Sequence, residues 1–566
     1  ITYLTKYKDQ MSNLANVVLS QTHFLEDWGL LLGKEGDLTI QQPLINPLYN
    51  SVSSTHVLLA LLKQSLSPLE HLKQTLRKNS VNFSRLKSQG VIHKFKRQNN
   101  LSIKNSNIEI KNISEFNDSL NLSIVMSYTM LDGRYSNNAW LQESPDPISK
   151  LTWGNAFYLN TDYARKENLK TGDVVSIKIE NNTLKGPVII LPGQNINTIT
   201  MPFGYGSIIN GAFSNYGVNL DHYKPNKNYE ITSLTKLNET ASLADTQMNH
   251  GLDEETLAAS GIKNRIKKIL KIQTVEELHS HDKHSTHEPH SLFKEQKYPG
   301  KYQWGMSIDL NSCLGCNACS IACQSENNIP IVGKEEVIRG REMSWLRIDR
   351  YFIENKNNET TINFMPVACV HCENAPCEQV CPVNATVHDE EGLNVMTYNR
   401  CVGTRYCANN CPYKVRRFNF FDWHQKNPQS VKKDKIHLFD YFREPVQQQQ
   451  MQFNPEVTVR MRGVMEKCTY CIQKLKVAKI NAKVKNDESY IKNIETSCQQ
   501  ACTTNSIVFG NINDETRQVS KNRKSKRRYD LLQYELNTKP RTIYLSKIVN
   551  PLFKPSKKKE IQNGYS

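Results

Sequence analysis

"CVGTRYCANNCPY" (residues 401–413) carries Cys401, Cys407 and Cys411, with Pro412 after the last. The spacing is that of an iron–sulfur-binding run, C-x2-C-x2-C-x3-C-P, with Thr404 where the second cysteine belongs. Three cysteines so spaced on a tight loop wrap three corners of a cuboidal cluster. The fourth points away to a second cluster, so runs come in reciprocal pairs.

Working outward, three more runs flank this one: Cys313, Cys316, Cys319 and Cys323; Cys369, Cys372, Cys377 and Cys381, followed by Pro382; and Cys468, Cys471, Cys498 and Cys502. All 15 cysteines fall between Cys313 and Cys502. An odd count cannot close entirely as disulfides, and a 566-residue chain has little need of staples. Paired C-x2-C knuckles can bind zinc tetrahedrally, but zinc does not explain triple runs that each have a distal fourth cysteine.

Nesting pairs the first run with the fourth and the second with the third. One cluster then takes Cys313, Cys316, Cys319 and Cys502, and a second takes Cys323, Cys468, Cys471 and Cys498. A third takes Cys369, Cys372, Cys377 and Cys411. Cys381, Cys401 and Cys407 remain, with Thr404 at the vacant corner. A neutral hydroxyl is a poor iron ligand beside a thiolate, so the expectation is three 4Fe–4S clusters and one 3Fe–4S cluster. The alternative is a four-iron centre with a water or Thr ligand at that corner. Arg405, Lys414, Arg416 and Arg417 lie beside this run and could supply stabilising charge, or be ordinary surface residues.

The rest of the chain bounds the reading. With 38% hydrophobic and 22% charged residues, the composition suits globular domains. No apolar run approaches the roughly 18 residues of a membrane helix, so attachment to a membrane would come through a partner. The net charge of +17 concentrates at Arg523–Arg528 and Lys557–Lys559, without a recognition helix or stacking motif, and nucleic-acid binding is not expected. The chain starts at Ile1 with no signal-peptide pattern, as a processed or incomplete chain would.

Five regions follow. Residues 1–130 have α/β texture, with a strand at Val17–Leu19 and a capped helix beginning near Ser54. Residues 131–240 have β-barrel texture with one helix, Asp162–Asn168. Residues 241–300 form a polar linker whose His279, His281, His284, His287 and His290 are too irregularly spaced to favour a metal site. The cysteines occupy 301–550, and 551–566 is a basic tail.

With the cysteine framework in place, the runs resemble the four-cluster iron–sulfur subunits of the complex iron–sulfur molybdoenzyme superfamily. "CLGCNACSIACQSENN", "PVACVHCENAPCEQVCPVNATVHDEEGLN" and "VTVRMRGVMEKCTYCIQKLK" are similar, more narrowly, to the iron–sulfur subunit of alternative complex III. The earlier "NVVLSQTHFLEDWG" and "LKTGDVVSIKI" are similar to the last part of a molybdopterin oxidoreductase catalytic domain and its dinucleotide-binding barrel. The resemblance implies an α/β and β multidomain chain. The C-terminal part of a molybdopterin oxidoreductase-like domain, with a double-psi β-barrel, would precede an α+β tandem ferredoxin-like domain.

It further implies an electron wire with no molybdenum cofactor and no catalytic residue of its own. The wire would lie on the periplasmic face of the bacterial inner membrane. Its partners would be an integral membrane quinol-binding subunit, multihaem and monohaem cytochrome c subunits, and a terminal oxidase. The alternatives are the iron–sulfur part of a molybdenum- or tungsten-dependent oxidoreductase, and front domains that act only as an interaction platform.

Overall fold

A computed structural model describes residues 1–7, 9–33, 36–93, 95, 119–206, 215–247, 269–280, 296–354, 360–423 and 452–549. His281, His284, His287, His290, Lys557–Lys559 and the rest of the basic tail lie outside these residues. The chain divides into two compact units, one of residues 1–118 with 208–215, the other of 119–207 with 216–566.

In the first unit, strand Thr2–Thr5 pairs in parallel with Val17–Ser20, and an antiparallel sheet runs Gly29–Leu32, Leu38–Gln41, Val91–Ile92. Helix Ser54–Leu61 starts where the Ser53 hydroxyl accepts the His56 N–H, satisfying a donor the helix leaves open. Helix Pro68–Lys78 opens on a reciprocal Ser67/Glu70 capping box with Pro68 in its first turn. Its Leu72 and Leu76 pack with Leu38, Val81 and Leu86 into a small core.

The second unit begins with a seven-stranded mixed sheet. Its order is Lys227–Glu230, Asn121–Met126, Thr198–Phe203, Phe157–Leu159, Asn182–Ile190, Asp173–Ile179, Ser233–Thr240. The two outermost strands are consecutive in the chain, joined only by Ile231 and Thr232. The Ile231 N–H bonds to Leu120 O at one edge and the Thr232 N–H to Lys178 O at the other. The sheet therefore curls until its edges meet, which removes exposed edge strands. Its inner face buries Leu122, Ile124, Phe157, Val175, Ile177 and Met201. Strand Asn121–Met126 lies ahead of the boundary expected at 131, and the helix expected at 162–168 forms at Thr161–Lys166.

In the cysteine-bearing region a four-stranded sheet runs Ile507–Asn511, Trp304–Asp309, Thr542–Leu545, Arg528–Tyr529. Around it stand the hairpin Arg347–Glu354/Thr360–Val367 and the helices Ala318–Glu326 and Ile472–Lys485. The stretch expected only to link, 241–300, contributes strand Ile272–Thr274, paired in parallel with Lys547–Val549, and helix Val275–Ser280. That pairing joins distant backbone segments, which local polarity does not reveal. Arg527 and Arg528 in the basic run are engaged within the fold, by Asp309 and Asp530. Among the described residues no helix is long and apolar enough to cross a membrane.

Candidate iron–sulfur sites

The first run shows how the backbone aims its thiols. Gly315 (φ 73°) and Asn317 (φ 62°) turn the chain left-handed on either side of Cys316, and helix Ala318–Glu326 starts immediately after. A Cβ on Gly315 would meet the Phe364 ring at 2.4 Å, so close packing as well as torsion requires glycine there. The helix carries Cys319 and Cys323 four residues apart, on one buried face. The Cys313 thiol lies within electrostatic reach of Cys502 and Cys316, and the Cys319 thiol within reach of Cys498, Cys313, Cys316 and Cys502. One turn on, Cys323 faces Cys468, Cys471 and Cys498. Cys498 thus acts electrostatically on both groups, and Cys471 acts on Cys498 in return.

In the second run, His371 (φ 48°) turns the chain between Cys369 and Cys372, and Pro376 opens the short helix Pro376–Gln379 that holds Cys377. Cys369, Cys372, Cys377 and Cys411 line one cavity together with Arg416. Arg416 is buried and donates to Cys377 Sγ at 3.1 Å, Thr386 Oγ1 at 2.7 Å and Asn394 Oδ1 at 3.0 Å. Its neighbours differ: Arg417 pairs with buried Glu342, Arg405 packs over Phe418 and Phe420, and Lys414 donates to Asn409 O. Of the four basic residues singled out in the sequence, Arg416 is the one with a hydrogen bond to a cysteine.

The third run repeats the backbone of the first. Gly403 (φ 75°) and Arg405 (φ 62°) flank Thr404 as Gly315 and Asn317 flank Cys316, and helix Tyr406–Asn409 follows with Cys407 buried. Even the outward residues match, Leu314 and Val402 each being 65% exposed. Thr404 therefore occupies the position of a thiol in an otherwise duplicated loop. Helix Tyr406–Asn409 packs on helix Pro376–Gln379. Both Cys381 and Cys407 lie within the field of Arg416.

In the fourth run, Tyr470 (φ 54°) and Cys471 (φ 52°) turn the chain into helix Ile472–Lys485. Backbone N–H groups reach several sulfurs: Ala385 to Cys381 and Ser506 to Cys502, each at 3.2 Å. Burial raises the Cys381 and Cys502 thiols, but the Val383, Ala385 and Thr386 N–H groups at Cys381, and the Ser506 hydroxyl, Ile507 N–H and Thr504 hydroxyl at Cys502, outweigh it and hold both below the ordinary range.

The chemistry of the donor set fits iron–sulfur clusters. The cysteines are all free thiols. Burial and then facing sulfurs push Cys377 up to about 11, against Arg416, and Cys498 up to about 12. Buried thiols so arranged become stable thiolates once a cationic metal core lies among them. Among the described residues, no three His, Cys, Asp or Glu side chains converge closely enough to share one ion. Cluster ligands need no such convergence, because each can bind its own iron.

Two family models, both described as 4Fe-4S dicluster domains, match residues 312–385 and 360–429. The iron-sulfur cluster-binding subunit of menaquinone reductase from Nitratidesulfovibrio vulgaris is 37% identical over 265 residues, 45% of this chain and 92% of that protein. The chain belongs to this family of iron–sulfur subunits. Other relatives include the Hdr-like menaquinol oxidoreductase iron-sulfur subunit 1 of Archaeoglobus fulgidus, 30% identical over 39% of this chain and 75% of that one. The iron-sulfur subunit of the arsenate respiratory reductase of a Shewanella species is 28% identical over 43% of this chain and 95% of its own length. Acetylene hydratase from Pelobacter acetylenicus aligns at a TM-score of 0.31 and 14% identity, covering 42% of this chain and 40% of that one, too weak a likeness to build on.

As a 4Fe–4S iron–sulfur subunit, the protein has an electron-transfer role. Three contributors escape the motif reading. Lys150, from the barrel region, is 1% exposed, and its side-chain ammonium has no hydrogen-bond partner among the described residues. Its ammonium lies 5.6 Å over the Phe364 ring, the ring packed on Gly315, and acts on Cys313. His371 and Tyr470, each the third residue of a C-x2-C pair, are buried with their rings stacked. Their shared place in the two motifs was the available signal.

Proposed function

We propose that this chain is the electron-transfer subunit of a quinol-oxidising membrane complex of the alternative complex III type, on the periplasmic face of the bacterial inner membrane. It would hold three 4Fe–4S clusters and one 3Fe–4S cluster in the four cysteine sets given above, with Thr404 at the open corner. The observation that carries this reading is Thr404 in a loop whose backbone otherwise duplicates that of Cys313–Cys319. A weaker corner ligand leaves a centre with fewer irons and different charge, one of the levers on reduction potential. The menaquinone and menaquinol in the relatives' names support a quinol as the electron donor.

When bound, the clusters would supply one-electron carriers. The chain's own residues hold them by thiolates, exclude water with a core that includes Trp304, Tyr470 and Tyr544, and aim N–H donors at the sulfurs. An integral membrane subunit would present the quinol near the three-thiolate centre, and haem c subunits or an oxidase would accept the electrons. The barrel and the first unit serve as scaffold in this reading.

The relative named as part of an arsenate respiratory reductase supports a second reading, the iron–sulfur part of a molybdenum- or tungsten-dependent enzyme. Metal analysis of the purified complex separates the two. About 15 iron atoms per chain without molybdenum is the expected result. Stoichiometric molybdenum or tungsten would favour the second reading, and zinc in place of iron would overturn both.

A further inference from the structure

Between the cysteine sets, the chain's own covalent path is uneven. Cys319 and Cys323 share one helix, and Cys498 and Cys502 are a turn apart, so a few bonds join the first set to the second. Cys377 and Cys381, and likewise Cys407 and Cys411, join the third set to the fourth in the same way. No short stretch of chain joins the set Cys323, Cys468, Cys471, Cys498 to the set Cys369, Cys372, Cys377, Cys411. Yet the two are neighbours: the Cys468 thiol lies within the field of Cys369. An electron passing between the two ferredoxin-like halves must leave the covalent path here.

At this junction stand His371, inside the Cys369–Cys372 loop, and Tyr470, inside the Cys468–Cys471 loop. Their ring centroids are 3.9 Å apart at an interplanar angle of 21°. Both are buried, and both adopt left-handed backbone. The Tyr470 hydroxyl bonds Thr542 Oγ1 at 2.5 Å, and His371 Nδ1 accepts the Asn394 N–H at 3.1 Å. The imidazole also lies against the Cys468 backbone. A hydrophobic core needs no histidine here; two π faces in contact at the one non-covalent step are what electronic coupling calls for.

We propose that the stacked His371–Tyr470 pair is the electronic bridge between the two ferredoxin-like halves of this subunit. The proposal rests on the ligand sets given above. One electron leaves the centre held by Cys468 and Cys471 and enters the centre held by Cys369 and Cys372, or the reverse. Neither ring is oxidised or gains or loses a proton, and no other reactant is needed.

The test uses the full chain in its complex with its iron in place. A flash photoreductant delivers electrons, and freeze-quench electron paramagnetic resonance follows their redistribution between the centres. In preparations that retain full iron, and compared at matched driving force from their measured midpoint potentials, Tyr470→Leu and His371→Leu are each expected to slow equilibration between the halves by about tenfold or more. Tyr470→Phe, which keeps the π face, is expected to retain the wild-type rate. A leucine variant with full iron and an unchanged rate would overturn the bridge. Should leucine cost a centre, Tyr470→Met fills the volume without a π face, and an unchanged rate there is equally fatal. A wild-type chain lacking iron at the two sets would instead sink the ligand reading on which the bridge depends.

Discussion

Thr404 differs from its counterpart Cys316 in presenting a hydroxyl where the first loop presents a thiol, while the glycine before it and the left-handed residue after it are kept. Thr404→Cys should therefore place a fourth thiolate at a prepared position. The expected outcome is loss of the paramagnetic signal of an oxidised 3Fe–4S centre and a gain of one iron per chain; survival of the signal undiminished would show that the corner is not Thr404. Lys150 bears on the first set. Burial, with Arg350 nearby, lowers its pKa to about 8, against the pull of Asp349, Asp146 and Asp245. A cation near Cys313 favours the reduced, more negative state of whatever those sulfurs hold. Lys150→Met is expected to move one midpoint potential downward in a redox titration and leave the others in place. The cysteine spacing made Thr404 legible in the sequence. Nothing local announced Lys150, because its partners Phe364 and Cys313 lie far along the chain.

At the scale of elements, the helices and turns outside the cysteine runs follow local rules. Ser53 and the Ser67/Glu70 box start their helices as residue type dictates, and Thr171-Gly172-Asp173 leads into a strand at Asp173–Ile179. The cluster loops depend on tertiary contact as well. Gly403 has φ 75°, and a Cβ there would sit 2.4 Å from Gly463 O. Gly403→Ala should cost about 1–2 kcal/mol in backbone strain alone, before the clash is relieved. The expected result is selective loss of the centre proposed at Cys381, Cys401 and Cys407, read as about three fewer irons with the other spectra intact. Strand Ile272–Thr274 was not legible, since a short polar strand forms only when Lys547–Val549 offers its backbone.

For the second unit as a whole, the joint between barrel and cysteine region turns on Glu143. Its buried carboxylate accepts Val332 N–H at 2.9 Å, Gly333 N–H at 2.7 Å and Trp153 Nε1–H at 3.2 Å. Burial still raises its pKa to about 7, against those donors and with help from Glu342. The folded state thus keeps a proton that the unfolded chain has released. The stability Glu143 contributes is full below its unfolded value of 4.5 and is lost as pH rises to about 7, roughly 3 kcal/mol in all. Glu143→Gln should flatten that part of the pH profile, measured as the urea midpoint of the iron-loaded protein; an unaltered slope would place the titration elsewhere. Cysteine spacing alone was enough to announce iron–sulfur chemistry, and it raised the expectation of reciprocally paired runs with an odd corner at Thr404, because cluster geometry constrains neighbours a few residues apart. The three-dimensional fold decided the Lys150–Phe364 contact, the Glu143 joint, the meeting of the barrel's edges and the stacking of His371 on Tyr470. Each brings together residues far apart in the chain, and only packing, not local pattern, selects such partners.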